Sequence, residues 1–272
     1  MTHTDTLTSP IDPEIVVALD RRAGEIARGA TVSSPIAAML ALGSVPIALG
    51  ALATDVYGQA PSDVLDVLQF ALLLEYLESE FYQRAINSPG LIPASDTAVF
   101  STIAGHEVTH VTALSALISG RSGLARARPA FDFTARGSVP GFAFAATQYA
   151  TFKQLAQAFE DTGVRAYKGQ LTRLMTDKAA LNAALTIHSV EARHAAEVRR
   201  LRGKNGWITG NSRDDLPAFT QPVYEGEDNT TLGAVNITGF AGSFGGLDSA
   251  TEAFDEPLTM AQVTAIITPF LA

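Results

Sequence analysis

Two Glu-x-x-His motifs, Glu107-x-x-His110 and Glu191-x-x-His194, lie 84 residues apart, and each follows a glutamate, Glu75 or Glu160, by 32 and 31 residues. Residues three apart on a helix project from one face, so the glutamate and histidine of each motif can reach a common ion. A carboxylate can span two cations where an imidazole cannot. Four glutamates and two histidines therefore suit a pair of divalent ions with coordination positions left open. Carboxylate and imidazole donors fit iron or manganese, and the thiolates that would point to zinc or iron–sulfur chemistry are absent from a chain without cysteine. The residue order also differs from the H-E-x-x-H of zinc proteases. The expected metal ligands are Glu75, Glu107, His110, Glu160, Glu191 and His194, holding two divalent ions, iron in preference to manganese.

These groups interrupt apolar stripes. Helical spacing links Leu68, Leu72, Glu75, Ser79 and Tyr82; Ile103, Glu107, His110, Leu114 and Leu117; Phe152, Ala156, Glu160, Val164 and Tyr167; and Ile187, Glu191, His194, Val198 and Leu201. An ionised carboxylate in a core protonates or finds a cation, and these rows hold no matching lysines or arginines. Metal is the economical explanation. The alternative is a metal-free bundle with a buried polar network. Tyr82 and Tyr167 each follow a ligand glutamate by seven residues, which makes them candidate catalytic groups, radical or hydrogen-bonding, with core packing as the other reading. Glu78 reads as part of a solvated face, with an additional ligand as the alternative. His106 and His188 read as surface histidines or as supports behind the ligands.

The elements that must hold these residues follow from their punctuation. A first helix is expected from an N-cap at Ser62 or Asp63 to Asn87, where Ser88-Pro89-Gly90 stops it, and a second from Ser95 or Asp96 to Gly120. The third lies within about Gly141 to Arg173, with Gly163 and Gly169 weakening its later turns. The fourth runs from Thr176 or Asp177 to Arg202 and closes at Gly203. Short loops make each pair antiparallel, and residues 121–140, with their glycines and prolines, supply one long crossover. The fold class is all-α: an antiparallel four-helix bundle over 62–203, an N-terminal helical segment over 1–61 and a loop-rich extension over 204–272. In the extension a small hairpin near Ala234-Val235-Asn236-Ile237 and a terminal helix from Pro257 to Phe270, packed back on the bundle, are expected.

At 272 residues and 47% hydrophobic composition the chain can bury a full core. A net charge of −9 argues against nucleic acid, whose binding needs a basic surface. Residues 203–272 hold nine acidic residues against Lys204 and Arg213, and read as an acidic, solvated appendage. Near the start, Pro35 to Ala53 is nineteen residues without a charge, long enough to span a membrane. With Arg21-Arg22 ahead of it and Ala51-Leu52-Ala53 at its end, it also has the parts of an export signal. Export to the periplasm or cell envelope is the expectation, against a retained helix in a cytoplasmic protein.

The stretch Leu68 to Glu78, then Glu80-Phe81-Tyr82 and Gly105-His106-Glu107-Val108-Thr109-His110, resembles the ferritin-like superfamily. More closely it is similar to the bacterial branch of ferritin-like domain proteins that includes desiccation-related proteins, as is Ala253-Phe254-Asp255-Glu256-Pro257-Leu258 in the tail. The resemblance implies a four-helix bundle whose dinuclear site uses the same six ligands. The activity expected is a dinuclear iron oxidoreductase acting on dioxygen or peroxide, as a ferroxidase or peroxide-consuming enzyme. The alternatives are a manganese catalase-like enzyme and a non-catalytic, stress-protective bundle. Expected partners are metal ions and small oxidants, with self-association left open and membrane contact through residues 35–53 as the alternative to cleavage.

Overall fold

A computed structural model describes residues 64–121 and 123–272. The expectations for 1–61, for Pro35 to Ala53 and for a cap at Ser62 or Asp63 lie outside the described residues. Four long helices carry the fold: α1 (Val64–Ile86), α2 (Thr97–Ser119), α3 (Tyr149–Gln170) and α4 (Lys178–Leu201). The short connections at 87–96 and 171–177 make α1–α2 and α3–α4 antiparallel pairs, and contacts of α1 with α3 and of α2 with α4 close the bundle. Among the described residues no helix is long and apolar enough to cross a membrane.

The helix ends follow local chemistry. Asn87 and Ser88 return their side chains to the carbonyls of Gln83 and Arg84, which closes α1. The Asp177 carboxylate accepts from the N–H groups of Ala179 and Ala180 at the start of α4, satisfying donors that have no partner inside the helix. Helix α3 lies within the expected bounds and starts at Tyr149. Gln148 accepts from the N–H groups of Ala143 and Ala145 and donates to the Gly141 carbonyl, holding 141–145 as a loop ahead of a 3-10 turn, Ala146–Gln148.

Neither glycine breaks α3, because each one admits something close. A methyl at Gly163 would stand 3.2 Å from both Glu191 Oε2 and Glu78 Oε1. At Gly169 it would collide with the Leu258 carbonyl of the C-terminal segment. The propensity cost is the condition of a close approach.

Two apolar regions fill the bundle. One is aromatic, with Phe81, Phe100 and Phe152 packed on Tyr82, and Phe133 and Phe159 on Phe81. The other is aliphatic, with Leu68, Leu72, Leu114, Ile118, Leu174 and Ile187 around Tyr167. The acidic and histidine side chains lie between them.

The extension is a correction: it is not a solvated appendage. It forms a two-residue hairpin, β1 (Thr231–Leu232) with β2 (Val235–Asn236), and short helices α5 (Thr238–Ala241), α6 (Leu247–Thr251) and α7 (Met260–Ile267), the last started by a Thr259/Gln262 capping box. Leu258, Val263, Ile267 and Phe270 are buried against the bundle. The chain end pairs with the crossover through Phe131 and Leu271. Buried Arg165 of α3 ties the extension down, donating to the carbonyls of Val223, Glu225 and Glu256 and pairing with Glu227 at 2.7 Å. Net acidity misled because it counts charge and not the cations on α3 and α4 that meet it.

Candidate metal centre

Each long helix brings its share of the site. Glu75 and Glu78 come from α1, Glu107 and His110 from α2, Glu160 from α3, and Glu191 and His194 from α4; all are buried, none more than 7% exposed. Their donor atoms form two overlapping groups, Glu75, Glu107, His110 and Glu191, and Glu107, Glu160, Glu191 and His194, each with all its atoms within 4.8 Å of one another. Glu107 and Glu191 belong to both, as carboxylates bridging two ions would. Glu75 with His110 and Glu160 with His194 complete the two ends. The structure thus brings together all six residues expected to bind metal.

The electrostatics show what the cluster lacks. Among the described residues no lysine or arginine forms an ion pair with these five glutamates. Burial pushes Glu75 up to about 8, and holds Glu78, Glu160 and Glu191 above the ordinary carboxyl range with their carboxylate neighbours adding to it. Burial acts the same way on Glu107, but the close His110 and His194 rings outweigh it and bring it down to about 2. For the histidines burial favours the neutral ring and the carboxylates overcome it. His110 stands at about 12 through Glu107, Glu191 and Glu75, and His194 at about 11 through Glu160 and Glu107.

His110 Nδ1 lies 3.1 Å from oxygens of Glu75, Glu107 and Glu191, and His194 Nδ1 lies 2.9 Å from Glu107 Oε1. Short as these approaches are, several atoms make no directed hydrogen bond: Glu107 Oε1, Glu160 Oε2, both oxygens of Glu191, His194 Nδ1 and Glu78 Oε2. Buried polar atoms without partners cost about 1–3 kcal/mol each, and more when charged. Five oxygens and one nitrogen facing one interior space are the donor set of a hard or borderline divalent ion, so the residues present fit a metal pair.

The tyrosines cross between the halves. Tyr82 of α1 donates to Glu160 Oε1 of α3, and Tyr167 of α3 donates to Glu75 Oε1 of α1, each at 2.5 Å. Both hydroxyls are held far above their ordinary range by burial and by the carboxylate each one meets. They are therefore anchored to candidate ligands as well as packed in the core.

One residue read as a surface group needs correction, and one that reads two ways is both. Glu78 is 3% exposed and faces Glu191 and Glu160 inside the cluster, because the stripe on α1 is wide enough to bury both Glu75 and Glu78. His106 is exposed, yet its Nδ1 lies 2.9 Å from His194 Nε2 and the two rings stack with centroids 5.2 Å apart. With His194 Nδ1 turned to the carboxylates, its Nε2 shares a hydrogen bond with His106 Nδ1, the kind of contact that fixes the orientation of a metal-binding imidazole. Both histidines line a groove of about 430 Å³ between α2 and α4, which leads from solvent to the His194 side of the cluster. His188 is half-buried and meets none of the six ligands.

Residues 63–204 match the model of the ferritin-like domain. The match spans more than half of the chain and contains every residue of the cluster, so the protein belongs to the ferritin-like domain family. No curated protein matches the chain.

Proposed function

We propose that the protein is a dinuclear iron oxidoreductase that reacts with dioxygen or peroxide. The observation that supports it best is the pair of overlapping donor groups sharing Glu107 and Glu191, with carboxylate oxygens left unpaired in a buried space. Glu75, Glu107, His110, Glu160, Glu191 and His194 would hold two ions. Bound there, iron would supply two one-electron changes to a small oxidant.

The protein's own groups do the rest. Tyr82 and Tyr167 fix Glu160 and Glu75 from opposite ends, so the outer carboxylates keep their orientation. The aromatic and aliphatic regions keep water from the two ends of the site. His106 holds the His194 ring at a wall that meets the groove, where a small oxidant would enter. The absence of cysteine leaves the site without a thiolate electron-transfer partner in its own chain. As in the desiccation-related branch it resembles, we read the role as bacterial stress protection outside the cytoplasm.

Metal content of protein purified without chelators, followed by anaerobic addition of ferrous iron and then peroxide, tests this. Two irons per chain, near-ultraviolet ferric absorbance and peroxide loss are expected. Peroxide consumption at background level with both positions filled would sink the oxidoreductase reading and leave a structural metal. Manganese in place of iron in the native protein, with peroxide disproportionation, would replace it by a catalase.

A further inference from the structure

The first helices of the two halves, α1 and α3, repeat with an offset of 85 residues, against 84 for the Glu-x-x-His motifs: Glu75 answers to Glu160, and Tyr82 to Tyr167. In that register Glu78 answers to Gly163. One half places a carboxylate where the other places no side chain, and the two positions meet in space. The absent Gly163 methyl would stand 3.2 Å from Glu78 Oε1 and 3.2 Å from Glu191 Oε2, so the glycine makes room for the Glu78 carboxylate beside Glu191. Glu78 Oε2 is buried and has no hydrogen-bond partner. Glu191 Oε2 is the oxygen turned to the His194 side, 4.0 Å from His194 Nδ1, whereas Oε1 lies 3.1 Å from His110 Nδ1.

We infer that Glu78 is a seventh metal ligand, serving the position held by Glu160 and His194, so that the two metal positions are unequal. The inference rests on the dinuclear reading above. The His194 position then has five protein ligands, Glu78, Glu107, Glu160, Glu191 and His194. The His110 position has four, Glu75, Glu107, His110 and Glu191, because the residue that would answer Glu78 there is Gly163. A carboxylate more or less changes both the affinity for a divalent ion and its coordination number, so a pair of like ions should bind in two distinguishable steps.

The test is titration of the metal-free, full-length protein with cobalt(II), followed by calorimetry and by the visible absorption of the bound ion. Wild type is expected to bind two ions. In Glu78→Gln one ion should weaken by at least about tenfold and its absorption band should change, while the other keeps its affinity and spectrum. Glu78→Asp, which keeps the charge but withdraws the oxygens by one methylene, should weaken the same ion and gives a second reading if the glutamine variant folds poorly. Two affinities and a spectrum unchanged in both variants would overturn the inference and leave the dinuclear site standing. Equal weakening of both ions would also overturn it, since a ligand of one position cannot act alike on two. A wild-type protein that binds no pair of ions would overturn the dinuclear reading as well.

Discussion

Glu160 and Asp161 are neighbours on α3, both buried, and they face two different interiors. Asp161 receives both arms of Arg199, at 3.0 and 2.6 Å, and the Tyr224 hydroxyl at 2.7 Å. Glu160 receives the Tyr82 hydroxyl on one oxygen and no hydrogen bond on the other. The fold can evidently supply a buried carboxylate with its own cation, and does so one residue away. Glu160, Glu107 and Glu191 have no arginine or lysine, only two histidines shared among them, which leaves room for a cation from solution. Burial of charge alone would not separate a structural network from a metal site; the completeness of its partners does.

Breaking the complete network should have the largest effect. Arg199→Met leaves Asp161 buried without its cation, and removal of one partner from such a pair costs about 3–5 kcal/mol. Denaturant unfolding should show that loss equally in metal-free and metal-loaded protein, with the number of ions bound unchanged. Glu160→Gln is the counterpart: in metal-free protein it removes a like charge from the cluster and should leave stability unchanged or raised, while metal binding falls. A metal-free Glu160→Gln as unstable as Arg199→Met would erase the distinction.

The next effects appear only with metal present. His110→Ala and His194→Ala should each lower occupancy and cost the loaded protein more melting temperature than the metal-free form, which forfeits only the histidine–carboxylate contacts. A ligand bound only by the native state adds about 2.7 kcal/mol at a hundredfold excess over its Kd, and this is what the variants would forfeit. Equal destabilisation of both forms would make these histidines packing residues. Tyr82→Phe and Tyr167→Phe should weaken metal binding by about tenfold, because each releases one outer carboxylate. If peroxide consumption measured at full metal occupancy falls further than that, the tyrosines act in the reaction as well as in positioning.

The six residues of the cluster and the four helices were legible because both are periodic. A three-residue spacing and an apolar stripe survive without any knowledge of what packs on them. Glu78 was misread for the same reason: three residues from Glu75, it suits a wet face as well as a wide buried one, and only Gly163 on another helix decides between them. The 85-residue register that pairs Glu78 with Gly163 was present in the sequence, and it becomes informative once the two positions are known to meet. The extension was misjudged because Arg165 and its carbonyl acceptors at 223, 225 and 256 are joined by no local pattern. His106 stood beside a ligand in sequence, but its contact with His194 crosses from α2 to α4.

A third carboxylate sharpens the comparison at the surface. Asp177 has both a cation and water: Arg121 reaches it with two arms at 2.6 Å, its side chain is 26% exposed, and it caps α4. The Arg121 hydrogen bonds, followed by the Ala180 N–H, hold its pKa down to about 2, against about 3.9 in an unfolded chain. A carboxylate depressed in the folded state contributes stability that is fully present above the unfolded value and is lost as pH falls through the folded one. Asp177→Ala should therefore cost about 1 kcal/mol at neutral pH, the ordinary loss of an N-cap, far below the cost at Asp161. The difference from wild type should shrink between about pH 4 and pH 2 and then vanish. Asp177→Asn keeps an acceptor for the helix N–H groups and loses only the charge, so it should cost less than alanine, within the range of about 0–1 kcal/mol for an exposed pair. Urea unfolding of the three proteins across that pH range decides it. A cost for Asp177→Ala that stays constant down to pH 2 would mean that the residue acts through its shape and not through its ionised form.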